Sequence, residues 1–170
     1  PLSIQFGGDD PNLLKEAAKI AEDWGYDEIN FNVGCPSPRV CSGKFGALLM
    51  KDPTKVAKCI DSLKSNCSLP ITIKHRIGVD DYDDFKKLDI FVKEVANAGA
   101  DRFIVHARKA ILKGLNPKQN RTIPPLRYDV VEKLKKTNPK LIIEINGGFS
   151  SLDQCVEALN TFDGVMIGRS

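Results

Sequence analysis

Apolar residues recur along this chain with two alternating periods. The two-residue period of a strand runs through Ile4 and Phe6, then Ile29, Phe31 and Val33, then Ile71 and Ile73. Phe103 with Val105 and Ile143 with Ile145 continue it. Between these segments the spacing switches to that of a helix. Leu14, Ala17, Ala18, Ala21 and Trp24 form one stripe, and Val56, Ile60 and Leu63 a second. Phe85, Leu88, Val92, Val95 and Ala96 make a third, Val130, Val131 and Leu134 a fourth, and Leu152, Cys155, Val156 and Leu159 a fifth. Asp10-Pro11 and Asp52-Pro53 each pair an N-cap with a first-turn proline, while Gly25 and Gly99 mark helix ends. Strands are predicted near 3–7, 28–34, 70–76, 102–107, 141–146 and 163–167. Strand-helix alternation of this kind predicts βαβ units and a parallel sheet.

The polar positions refine the picture. Gln5, Asn30, Asn32, Thr72, Lys74, Arg76, His106, Arg108, Glu144 and Asn146 all have the parity opposite to the apolar set. A doubly wound open sheet, the alternative architecture, is covered on both sides and needs both parities apolar. Here one face packs on helices while the other gathers polar groups late in each strand. A barrel interior with a site at its C-terminal mouth has that pattern. His75 has the helix-facing parity and reads as structural.

Composition adds bounds. At 170 residues, with 42% hydrophobic and 28% charged residues, the chain suits one globular domain with a sizeable core. It contains neither an apolar run of about 20 residues nor a signal-peptide pattern. The five cysteines are odd in number and form no CxxC pair, which fits a reducing compartment. With His75 and His106 the sole histidines and neither near a cysteine pair, no metal is expected. A net charge of +3 does not by itself imply nucleic acid. Its distribution is more telling, because six basic residues and no acidic one lie between Arg108 and Arg127. A loop of about 20 residues is usually functional or disordered; a solvated lysine-rich surface is the plainer alternative.

Candidate chemistry concentrates between Ile29 and Met50, INFNVGCPSPRVCSGKFGALLM. A buried strand ends on Asn32, Gly34, Cys35 and Pro36, which presents a thiol at a fixed point. Gly43 and Gly46 then allow close backbone approach to a ligand. Gly147-Gly148 and Gly168-Arg169 follow the last two strands and expose backbone N–H groups where many barrels bind phosphate, with Ser150 or Ser151 free to cap the next helix. Lys74 on the interior parity requires a ligand or a carboxylate such as Glu144 to compensate its charge. His106 is either a ligand contact or a satisfied core histidine.

The N-x-G-C-P-S strand end at Asn32–Ser37 resembles that of the tRNA-dihydrouridine synthase family, whose active-site cysteine lies in this motif. The likeness continues through V-x-S-G-x-F-G-A at Val40–Ala47, IKHRIG, IVHARKA, EINGG and GVMIGR, and Leu112–Tyr128 resembles the subfamily acting on position 20 of tRNA. The resemblance implies a TIM (β/α)8 barrel of which strands three to eight are present. It also implies truncation at both ends and absence of the family's C-terminal helical tRNA-binding domain. The implied activity is reduction of a D-loop uridine to 5,6-dihydrouridine in the cytoplasm, with FMN as cofactor and NADPH as reductant. Cys35 would then be the catalytic acid. Gln5, Lys74, His106, Asn146, Gly147, Gly148, Gly168 and Arg169 would bind cofactor, and Asn32, Arg108, Lys118 and Arg121 substrate. The target base must leave its stack to reach such a pocket. Two other classes stay open: a dihydroorotate dehydrogenase-like FMN barrel, and a non-catalytic RNA-binding or degenerate fragment.

Overall fold

The predicted strands form, and each lies beside its successor. A computed structural model describes residues 1–168. Its strands are β1 (Ser3–Phe6), β2 (Glu28–Val33), β3 (Ile71–Arg76), β4 (Arg102–His106), β5 (Ile143–Asn146) and β6 (Gly164–Met166). All pairings are parallel, in the order β1-β2-β3-β4-β5-β6. A doubly wound sheet reverses its order at a switch point. This one has no reversal, and right-handed crossovers then place every helix on the same side. The sheet is an arc of a (β/α)8 barrel, and the doubly wound alternative falls.

The helices are α1 (Pro11–Asp23), α2 (Pro38–Ser42), α3 (Pro53–Lys64), α4 (Phe85–Asn97), α5 (Tyr128–Thr137) and α6 (Leu152–Ala158). Both Asp-Pro starts work as read. Asp10 accepts from the Asn12 N–H at 2.9 Å, Asp52 from the Lys55 N–H at 3.0 Å, and the prolines follow. Ser151 and Gln154 close a capping box at α6. Helix α2 and the 3-10 turns at Gly46–Lys51 and Gln119–Arg121 carry too little periodicity to be anticipated.

The core fills the space between sheet and helices. Ile29, Phe31, Val33, Ile71, Ile73, Phe103, Val105, Ile143 and Ile145 are buried on the helix side, against Ala18, Val56, Ile60, Leu63, Leu88, Phe91, Val92, Val95, Val131 and Leu134. Two expected stripes need correction. Trp24 is 78% exposed at the α1 C-cap, and in α6 Cys155 and, in part, Ala158 turn inward, leaving Leu152 at 76% and Val156 at 65%. Both helices flank the ends of the arc, where β1 and β6 each have one strand neighbour, so less structure stands over them. Among the described residues no helix is long and apolar enough to cross a membrane, and no group of three or more His, Cys, Asp or Glu is placed to hold a metal.

Candidate active site

On the inner face, register aligns the polar side chains into tiers. Asn30, Thr72 and Arg102 lie level, then Asn32, Lys74, Ile104 and Glu144, then Arg76, His106 and Asn146. The lowest tier is satisfied by its own members and the carboxylates beside it. Arg102 pairs with Glu28 and, at 3.1 Å, with Glu144. Asn30 donates to Thr72 at 2.9 Å, and Thr72 donates to Glu28 at 2.8 Å. A hollow of about 380 Å³ bordered by Gln5, Glu28, Asn30, Arg102, Ile104 and Glu144 opens here. It is the barrel interior at the N-terminal halves of the strands, away from Cys35, and it is a consequence of the open arc.

The upper tiers carry the unusual chemistry. Glu144 is taken by Arg102, so it does not compensate Lys74. Instead Lys74 Nζ donates to Asn146 Oδ1 at 3.0 Å, and Asn146 Nδ2 donates to the Met166 carbonyl at 2.7 Å. An amide leaves the ammonium charge unneutralised. Burial, reinforced by the Arg76 charge, lowers Lys74 to about 8. His106 is brought down to about 3, first by burial and then by Arg76, Lys74, Arg108 and Arg121, so it is neutral at ordinary pH. Its ring lies against Gly147, where an added Cβ would meet His106 Cδ2 at 2.7 Å.

Cys35 is held from three sides. Asn32 Oδ1 accepts the N–H groups of Gly34 at 3.1 Å and Cys35 at 3.0 Å, while its Nδ2 donates to Gln5 Oε1 at 2.9 Å. The Cys35 carbonyl accepts from Ala47 at 2.9 Å. Gly46 has φ +67, and a Cβ there would come within 2.6 Å of the Cys35 carbonyl oxygen. Asn32, expected at the substrate, thus positions the thiol as well, and Gln5 braces Asn32. The thiol is half-buried and free of any disulfide.

The basic stretch is a folded loop closed on one residue. Asn120 is fully buried, donating to the carbonyls of Ile111 at 2.8 Å and Leu115 at 3.2 Å and accepting from the Ile111 N–H at 2.7 Å. Its six cations separate by partner. Lys109 pairs with Asp83 and Arg127 with Asp129. Arg108 donates to the carbonyls of Thr122 and Pro124 and so braces the loop. Lys113, Lys118 and Arg121 have no ion pair among the described residues. Arg76, which the sequence marks merely as an interior polar position, emerges as a link between the Cys35 corner and this loop.

Residues Gly147 and Gly148 have φ +113 and +81, and neither N–H meets an acceptor among the described residues. The N–H groups of Ser150 and Ser151, by contrast, are taken by Gln154 Oε1 at 2.9 and 3.3 Å. Gly168 stands beyond the end of β6, beside Asn146; Arg169 lies outside the described residues. Free N–H groups beside an unneutralised lysine suit an anionic ligand bearing a phosphate, such as a flavin nucleotide.

Comparison with known proteins bears on the fold and the family. Among solved structures, dihydrodipicolinate synthase from Agrobacterium tumefaciens superposes with TM-score 0.61 over 96% of this chain and 52% of that one, at 13% identity. A 2-keto 3-deoxygluconate aldolase from Picrophilus torridus gives 0.58, covering 96% and 54%, at 12% identity. These likenesses establish the fold alone. The chain is also 57% identical over all 170 residues to a tRNA-dihydrouridine(20/20a) synthase of Synechocystis, and 51% identical to one of Xanthomonas campestris, covering 51% of each. It is 52% identical over 169 residues to the Pseudomonas putida enzyme of the same name. The chain therefore spans about half the length of the curated relatives it matches. The dihydrouridine synthase family model matches residues 1–170, and the chain belongs to that family.

Proposed function

We propose that this protein reduces a D-loop uridine of tRNA, at position 20 or 20a, to 5,6-dihydrouridine, acting in the cytoplasm where tRNA is processed. Residues 1–170 would contribute the FMN-binding catalytic part of the barrel. The observation that carries this is the clamped thiol: Cys35 is fixed by Asn32 and Ala47 just past the end of β2, and Asn32 itself lies level with Lys74 on the inner face.

Bound FMN, reduced by NADPH, would supply a hydride to C6 of the uracil. The chain's own residues do the rest. Cys35 donates the proton at C5, and the rigidity of its corner keeps the sulfur within reach of that one carbon. Asn32 presents an amide at the uracil edge. Lys74, charged below about pH 8, places a cation beside the flavin ring, where it favours the electron-rich form. Gly147 and Gly148 offer N–H groups to the phosphate, joined by Gly168 and Arg169, and neutral His106 borders the same cradle. Lys113, Lys118 and Arg121 favour a polyanionic substrate over the small acid of a dihydroorotate dehydrogenase. The relatives' names point to the same substrate.

The test is direct. Protein purified with FMN should show the visible flavin bands, and NADPH should bleach them. Addition of unmodified tRNA should restore them as dihydrouridine accumulates, measured by mass spectrometry of nucleosides. Flavin reoxidation by dihydroorotate's product but not by tRNA would overturn the assignment.

A further inference from the structure

Arg76 is 3% exposed and has no carboxylate partner among the described residues. Its guanidinium instead donates to three backbone carbonyls on two separate loops. Nε reaches Gly34 at 3.0 Å, immediately before Cys35. Nη1 reaches Asn120 at 2.9 Å and Lys109 at 3.2 Å, in the basic loop. A buried guanidinium held by carbonyls alone is costly, and packing would be served as well by an apolar chain. What a planar fork does that an apolar chain cannot is fix two carbonyls at once in relative position. The carbonyls it chooses flank Cys35 on one side and Arg121 on the other.

We propose that Arg76 is a positioning residue that couples the basic loop to the Cys35 corner, so that order in the loop over 108–127 sets the placement of the thiol. The inference rests on the proposed role of Cys35 as acid. Asn120 completes the device. Its side chain gathers the loop around Ile111 and Leu115, and its own carbonyl is the acceptor that faces Arg76. Disorder in the loop withdraws that acceptor, the fork loses its second anchor, and the Gly34 carbonyl loses a fixed donor.

Alkylation of the protein by iodoacetamide, resolved by peptide mass spectrometry, tests this with a readout independent of turnover. Five proteins are compared: the parent, Arg76→Met, Arg76→Ala, Asn120→Ala and the double variant of Arg76→Met with Asn120→Ala. Cys59, fully buried in the core, reports global opening. Each single variant should raise the Cys35 rate by about fivefold or more with Cys59 unchanged, and the double variant should be no faster than Arg76→Met, as for residues acting through one another. Guanidinium at low millimolar concentration should slow Cys35 again in Arg76→Ala. The coupling is overturned if Asn120→Ala leaves Cys35 at the parent rate, or if the two effects multiply in the double variant. Should Arg76→Met also expose Cys59, Asn120→Ala alone decides. In the tRNA assay Asn120→Ala should lower kcat more than it raises KM. A protein that never reduces tRNA would refute the proposed activity, while the alkylation rates would still decide the coupling.

Discussion

Asn32 shows how one side chain sets the geometry of a site. Its two hydrogen bonds to the N–H groups of Gly34 and Cys35 form a turn that an apolar side chain could not make. The thiol is thereby presented without burying it. Because the sulfur makes no hydrogen bond among the described residues and closes no disulfide, Cys35→Ala should keep flavin and tRNA affinity while dihydrouridine formation falls by about 10²-fold or more. Near-normal turnover would remove Cys35 from the chemistry. On the opposite face His75 is buried between Phe91 and Phe103, with ring centroids at 5.2 and 6.0 Å. Nδ1 contacts the Arg76 carbonyl at 2.7 Å, and Nε2 has no partner among the described residues. Burial lowers it to about 4 from an ordinary 6.5. The unfolded chain therefore binds a proton more readily than the folded one. Stability from this group is complete above about pH 6.5, is lost as pH falls towards 4, and changes no further below that. The span corresponds to up to about 3 kcal/mol. His75→Leu should flatten the decline of the urea midpoint between pH 6.5 and 4; an unchanged decline would mean that His75 is not protonated on unfolding there.

At the scale of elements, the loop over 108–127 is the informative one. It is long, as few loops in compact domains are, yet it is ordered by Asn120, Arg76 and the Arg127 N–H donating to the Ala107 carbonyl at 2.8 Å. Internal order leaves Lys118 exposed and Arg121 half-buried near the site. Replacing both with Ala should weaken tRNA binding and reduce the salt dependence by roughly one to two units of log–log slope, at about 0.9 or less per phosphate. FMN affinity should stay as it was. Equal tRNA affinity and slope in the variant would mark the loop as solvated surface. The corner over residues 34–47 behaves differently, since it is fixed by glycine. At Gly46 an Ala would clash with Val40 and the Cys35 carbonyl as well as straining a φ of +67.

For the whole molecule the consequence lies at the ends of the arc. Among the described residues strands β1 and β6 each present one unpaired edge, and Leu13, Ile20 and Trp24 along and just past α1 and Leu152, Val156 and Leu159 along and just past α6 are exposed beside them. Unpaired edges flanked by apolar rows favour association between chains. The 170-residue chain on its own should self-associate as its concentration rises and hold FMN weakly, by light scattering and by flavin retention on dialysis. A monodisperse monomer with stoichiometric FMN would show that six strands suffice.

Much of this was legible in the order of residues. Strand parity places Ile29, Phe31 and Val33 against helices and Asn30, Asn32 and Lys74 inside, because side chains on a strand alternate and only one face was apolar. The Asp-Pro helix starts and the strand-end cysteine are local signals, set by neighbours in the chain. Tertiary structure decided what depends on distant partners. Lys74 meets Asn146 and not Glu144, since Arg102 already occupies that carboxylate. Arg108 braces its loop, and Arg76, one polar position among ten in the sequence, joins two loops through carbonyls. Helical spacing put Trp24, Leu152 and Val156 in the core; the arc left them outside. Periodicity tells which face of a helix is apolar, but only the packed neighbours determine whether anything covers it.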